Sequence, residues 1–165
     1  MNSCALCQAP KAVKTCAECG LAVCKQCLRH PPPDPLRFHP NPPAWAQKGN
    51  FCANCFEAVV EPELQKYQEV LERSEGVKVV YATYHGFLPC LKKAKAPTEV
   101  AADAGRGISI QRLKFLAAWE GYDAVIEVET EGRKVRNHGW ETKSWGARGT
   151  FACLDYKRFR PPEDS

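Results

Sequence analysis

Cys16-Ala17-Glu18-Cys19-Gly20-Leu21-Ala22-Val23-Cys24-Lys25-Gln26-Cys27 decides how the first third of this chain folds. It contains two Cys-x-x-Cys hooks, and a further hook lies on either side, Cys4/Cys7 upstream and Cys52/Cys55 downstream. Each hook can present two thiolates from one tight turn, and a tetrahedral zinc ion is closed by two hooks. Four hooks therefore predict two closed Cys4 zinc sites, at a spacing that chance does not readily produce. The competing reading is a secreted disulfide framework. The chain opens Met1-Asn2-Ser3-Cys4 with no charged and apolar leader, so the expected setting is the reducing cytoplasm, where clustered cysteines bind metal. Two pairings stay open. Sequential sharing would join Cys4, Cys7, Cys16 and Cys19, then Cys24, Cys27, Cys52 and Cys55. Alternate sharing would join Cys4, Cys7, Cys24 and Cys27, then Cys16, Cys19, Cys52 and Cys55.

The middle hooks are separated only by Gly20-Leu21-Ala22-Val23, enough for a short strand returning from a Cys-Gly knuckle. Over residues 1–60 this resembles the FYVE family, whose centre reads Cys-x-x-Cys-Gly-x-x-x-Cys-x-x-Cys. The resemblance implies a cross-braced pair of zinc sites, hence the alternate sharing. PHD-type fingers place His where this chain has Cys24, and RING fingers use a shorter central gap. The likeness ends at the metal frame. Phosphoinositide-binding FYVE domains carry Trp-x-x-Asp before the first hook and a basic Arg-His-His-Cys-Arg-like run. This chain has only Met1-Asn2-Ser3 before Cys4, and Val13-Lys14-Thr15-Cys16-Ala17 at the basic run. A headgroup site needs clustered cations, so the resemblance does not extend to phosphoinositide binding.

Composition shifts near residue 60. The first part holds eight of the ten cysteines, and seven of the thirteen prolines fall between Pro31 and Pro43. So small a segment buries too little apolar surface to fold alone, whereas a structural zinc site supplies on the order of 10 kcal/mol. Four thiolates also close the coordination shell, so the two Zn2+ are expected to be structural. Formal charge is +4, but eight zinc-bound thiolates and two Zn2+ would bring the loaded chain close to neutral. That argues against nucleic acid, which wants a basic face, and predicts weak, salt-labile DNA binding. A local patch could still form from Arg133, Lys134, Arg136 and Arg148, or from Lys157, Arg158 and Arg160.

Between the third and fourth hooks the proline-dense stretch forbids helix. It is expected to be a stiff loop with Trp45 and Phe51 packed over the metal core, leaving His30 and His39 as spare donors. A linker helix over 61–76 follows, with Pro62 in its first turn, Gly76 at its end, and Val60, Leu64, Tyr67 and Leu71 on one stripe. Residues 77–157 predict a small β-α-β-β domain, with a tail over 158–165. Val77–Tyr84 reads as a strand and Phe87–Gly107 as a loop. Ser109 caps a helix to Glu120 ended by Gly121, Ala124–Glu129 is a half-buried strand, Asn137-His138-Gly139 a turn, and Thr150–Leu154 the last strand. The fold class is thus α+β, a zinc-stabilised cross-brace finger followed by a small β-α-β-β domain. Cys90 and Cys153 read as small buried hydrophobes.

Leu116-Ala117-Ala118-Trp119-Glu120-Gly121-Tyr122-Asp123-Ala124-Val125-Ile126-Glu127-Val128-Glu129, with Gly149-Thr150-Phe151-Ala152-Cys153, resembles the YbjQ-type domain. Its hallmarks are a helix running into Gly-Ala-Asp-Ala-Val and a Ser-Gly-Thr-Ala before the last strand. The resemblance implies an α/β fold, a tendency to form rings and no catalytic residues. A rival enzymatic reading takes Asp123, Glu141 and Lys143 as the Asp…Glu-x-Lys set of a Mg2+-dependent restriction-like nuclease. The preferred reading is a non-enzymatic, cytoplasmic zinc-binding protein acting in protein–protein recognition or assembly; a RING-like adaptor is a further alternative. No stretch reads as a membrane span. On a helix over 109–120, Ile110, Leu113, Leu116 and Ala117 share one face, which leaves Phe115 and Trp119 on the other as a predicted homo-oligomer contact.

Overall fold

A computed structural model describes residues 3–103 and 105–160; the tail beyond Arg160 lies outside the described residues. The chain is α+β, and it divides between Glu69 and Val70, inside the expected linker helix, into two compact units.

In the first unit β1 (Lys14–Thr15) pairs antiparallel with β2 (Ala22–Val23), and β3 (Leu28–Arg29) with β4 (Phe51–Cys52). Two-residue ladders have no stability of their own. What lies between them is the cluster Cys4, Cys16, Val23, Cys24 and Cys52, with Leu6 and Leu28 packed against it. The proline loop is not extended throughout, since a 3-10 turn, Ala44–Gln47, interrupts it; Leu36, Phe38 and Trp45 are buried, and Trp45 meets Phe51 edge-on at 6.4 Å. Helix begins earlier than residue 61. Cys55 N–H donates to Cys52 Sγ at 3.4 Å, so the hook itself caps α1 (Ala53–Cys55). A π-helical turn, Phe56–Val60, leads from it into α2 (Glu61–Glu75). Val60 and Tyr67 on the predicted stripe are buried, and the Tyr67 hydroxyl accepts from Phe38 N–H at 3.2 Å.

The second unit contains β5 (Lys78–Tyr81), β6 (Cys90–Lys93), β7 (Thr98–Asp103), α3 (Arg106–Trp119), β8 (Ala124–Asn137) and β9 (Trp140–Leu154). β5 runs parallel to β8, which is antiparallel to β9; β6 and β7 lie end to end along the other edge of β9. The unit therefore has two strands more than the predicted β-α-β-β order, both inside the stretch expected to be loop. β6 is exposed at every residue, so it carries no apolar alternation to reveal it. Cys90 is exposed there, not buried, and Cys153 is half-buried with its Sγ 3.8 Å from the Gly121 carbonyl.

Ala124, Val125 and Ile126 are all buried, so the base of β8 is covered on both faces rather than half-buried. Ala124 and Ile126 join Val80, Ala152 and Leu154, packed by Tyr84, Leu88 and Phe159. A bulge at Glu127 (φ 54) then shifts the register between Ile126 and Glu129. Simple alternation would have placed Glu127 on the side of Val125. The extra residue turns it out to solvent and brings Val128 in instead. Gly149 faces this point, where an added Cβ would lie 2.5 Å from Val125 Cγ1 and 3.1 Å from Val128 Cγ2.

Two expectations for α3 are corrected. Its N-cap is Gly105, and Ser109 is buried inside the helix, with its hydroxyl donating to the Trp145 carbonyl. Ser109 thus joins the helix to β9 instead of starting it. Phe115 is fully buried and Trp119 half-buried, stacked on it at 6.0 Å, so these aromatics are not left in water for a second copy to cover. The helix is flanked by the end of α2, since Lys114 Nζ donates to the Glu75 carbonyl at 3.3 Å. The predicted ends hold: Gly121 follows α3 in the left-handed region (φ 85), and His138-Gly139 (φ 49 and 86) turn β8 into β9.

Phe115→Ala should cost the second unit about 3–5 kcal/mol by denaturant unfolding, and Phe115→Asp should leave it unfolded rather than a folded monomer. Gly149→Ala should cost about 1–3 kcal/mol through overpacking against Val125. Wild-type stability in any of these three variants would contradict this packing.

Candidate metal centres

Hydrogen bonding from the backbone explains which hooks meet. Ala5 N–H donates to the Ala22 carbonyl at 2.9 Å and Val13 N–H to the Val23 carbonyl at 3.1 Å, so the chain around the first hook lies along β2, beside Cys24. Ala17 N–H donates to the Asn50 carbonyl at 2.9 Å, which brings the second hook to β4 and Cys52. β2 is extended, so it carries Cys24 away from Cys19 and the middle hooks serve different sites. The result is two groups of four sulfurs, Cys4/Cys7/Cys24/Cys27 and Cys16/Cys19/Cys52/Cys55, each with all ligand atoms within 4.8 Å of one another. The sharing is alternate, and the finger is cross-braced.

The two groups match residue for residue. In each, the first cysteine of both hooks is buried, while the second is exposed in one hook and half-buried in the other. The hooks turn alike too: Gly20 N–H donates to the Cys16 carbonyl at 3.0 Å and Gln8 N–H to the Cys4 carbonyl at 2.8 Å. Both residues are left-handed, at φ 75 and 60, so Gln8 holds the backbone place that Gly20 holds without strain.

The sulfur spacing fits zinc. Tetrahedral Zn–S bonds of about 2.3 Å give S···S edges of about 3.8 Å. Cys7 Sγ and Cys24 Sγ lie 3.6 Å apart, and Cys19 Sγ and Cys52 Sγ 3.9 Å. All ten cysteines are free of disulfides. Backbone N–H groups already favour thiolate at three of the four buried positions, Cys4, Cys16 and Cys24, whereas burial pushes Cys52 up. Cys4 is lowered to about 6, chiefly by the Cys7 N–H. Cys16 is also lowered to about 6, because the N–H groups of Cys19 and Cys52 outweigh the opposing effect of burial. Cys27 goes the other way, up to about 12, chiefly through the adjacent Cys7 sulfur. Unscreened by a cation, four sulfurs this close cannot all ionise. Bound to Zn2+, they would form two closed shells without a position for water.

The other predicted site residues are scattered. His30 Nδ1 contacts the Gly49 carbonyl, and His39 Nδ1 accepts from Asn41 N–H at 3.0 Å; neither joins a sulfur group. Asp123 Oδ1 accepts from Leu154 N–H at 3.0 Å, and its carbonyl accepts from Lys78 N–H at 3.0 Å, which ties β5 to the end of β9. Glu141 and Lys143 lie at the far end of the β8–β9 hairpin, opposite Arg136 and Lys134, roughly 35–40 Å of strand from Asp123. Asp123, Glu141 and Lys143 therefore do not form one Mg2+ site. The basic patch is likewise divided. Arg133 and Arg148 lie on one face of the hairpin, Lys134 and Arg136 on the other. Among the described residues no helix is long and apolar enough to cross a membrane.

Elemental analysis should find two zinc per chain. Chelation should unfold the first unit while the second keeps its secondary structure by circular dichroism. In a Co2+- or 113Cd-substituted protein, Cys7→Ser should perturb the ligand signals of Cys24 and Cys27 before those of Cys16 and Cys19. One metal per chain, or the reverse order, would contradict the cross-brace.

Compared with family models, curated proteins and solved structures, the chain matches none.

Proposed function

We propose that this chain is a non-enzymatic zinc protein of the reducing cytoplasm, in which a FYVE-like cross-brace finger is joined to a YbjQ-like domain for protein–protein recognition or assembly. The observation that carries the reading is the pair of all-cysteine groups. Four thiolates saturate a tetrahedral ion, so zinc there stabilises a surface and leaves no vacancy in which to activate water. The scattered positions of Asp123, Glu141 and Lys143 support the same reading, because two-carboxylate metal catalysis needs its ligands around one ion. A small rigid finger contributes to recognition by presenting a fixed contour, with the metal meeting the entropic cost of ordering it before a partner arrives.

The test is affinity capture with the full zinc-loaded chain in a lysate of cells that produce it, followed by mass spectrometry. A defined protein retained by the loaded chain and released after chelation is the expected result. Retention of nothing above a control resin, or equal retention by the chelated chain, would count against it. Asp123→Ala with Glu141→Ala should leave any Mg2+-dependent nuclease signal of the preparation unchanged.

A further inference from the structure

The β8–β9 hairpin runs beyond the body of the second unit, with every residue from 131 to 143 exposed, Trp140 among them at 79%. Strand alternation sorts its charges. On one face Arg133 pairs with Glu131 at 3.1 Å. The other carries three cations, Lys134, Arg136 and Lys143, with a single carboxylate, Glu141, which bonds Lys134 at 3.0 Å. Lys143 lies over the Trp145 ring at 4.9 Å, and Trp145 crosses Gly132. Lys134 and Lys143 are direct cross-strand partners. Like charges so placed repel, and an anion from outside would relieve them.

The same residues have an open backbone edge. β5 stops at Tyr81, opposite Val128, and the last link is Ala82 N–H to the Val128 carbonyl at 3.0 Å. Past that point no strand among the described residues pairs with the outer side of β8. Near that point an open cavity of about 820 Å³ reaches across the sheet, bordered by Tyr81, Arg106, Glu129 and Glu131 and, on the neighbouring strands, by Arg148 and Glu99. A two-residue turn makes Asn137 and Trp140 a hydrogen-bonded pair. By alternation, Gly132, Lys134 and Arg136 then point their N–H and C=O groups away from β9.

We propose that this edge receives an acidic, extended segment of a partner protein as an added strand, its alternate carboxylates set against Lys134 and Arg136. The inference rests on the recognition reading above and gives it a surface. A copy of this hairpin would bring its own cations to the edge and be repelled. A nucleic-acid strand would answer the cations and the outward N–H groups through its phosphates but offers no row of donors to the outward C=O groups, whereas a peptide strand satisfies both. Glu129 and Glu131 line the other face, so the partner's intervening residues would be neutral or basic.

The test is fluorescence anisotropy of a short labelled peptide alternating Glu and Thr, titrated with the full zinc-loaded chain. Saturable binding is expected, weakened about tenfold or more by Lys134→Glu with Arg136→Glu. These positions are exposed, and circular dichroism checks that the variant folds. N-methylation of alternate peptide amides should also abolish binding. The inference is overturned by no saturable binding, by equal binding of the N-methylated peptide or the charge-reversed variant, or by an oligothymidylate that binds more tightly than the peptide with the same sensitivity to the variant. Should peptide binding fail while lysate capture survives in the variant, the edge is wrong and the recognition reading stands. Loss of capture by the wild type as well would remove both.

Discussion

Four thiols drawn within 4.8 Å of one another form an arrangement that a polypeptide holds readily only around a cation. The first unit depends on that constraint twice over. Its strands are two residues long and its longest loop is rich in proline, so regular hydrogen bonding holds little of the chain. Beside an apolar set that includes Trp45, Phe51, Val60 and Tyr67, the sulfur groups hold it together. Because each joins hooks that are not neighbours in sequence, neither half of the finger can form without the other. The cap that Cys52 makes on α1 carries this order into the following helix.

The second unit solves a different problem, how to cover both faces at the base of a sheet while its central hairpin extends outward. α3 packs across β7, β8 and β9, and the other side is closed by Tyr84, Leu88 and Phe159 around Ile126 and Leu154. The bulge at Glu127 makes this possible by moving one carboxylate out and Val128 in. Gly149 is the matching concession on β9. From residue 131 to residue 143 the same two strands are exposed throughout, and alternation, no longer sorting apolar from polar, sorts one pattern of charge from another. The stable base and the exposed hairpin are thus two uses of one pair of strands.

Much of this was legible in particular residues. The Cys-x-x-Cys hooks named every member of both sulfur groups, and the Gly20 knuckle anticipated β2. Gly121 marked the end of α3, and Asn137-His138-Gly139 the hairpin turn. Trp45 and Phe51 were expected to pack over the metal core, and both are buried, edge-on against each other. Elsewhere local pattern misled. Ser109 looked like a cap because Ser favours that position, but its hydroxyl is used inside the helix against β9. Lys92 and Lys93 looked like loop because an edge strand exposed on both faces has no periodicity to display.

The chain by itself determined what depends on neighbours in sequence: donor type, turn residues, helix ends, and the shortage of apolar surface that makes metal necessary. Tertiary structure decided what depends on distant partners. It selected alternate over sequential sharing through hydrogen bonds from Ala5 and Ala17 to remote carbonyls. It buried Phe115, separated Asp123 from Glu141, and divided the arginines and lysines of the hairpin between two faces. In each case the residue's environment is set by a segment far along the chain. Spacing can say that two groups are able to meet, but only the packed fold fixes which of them do.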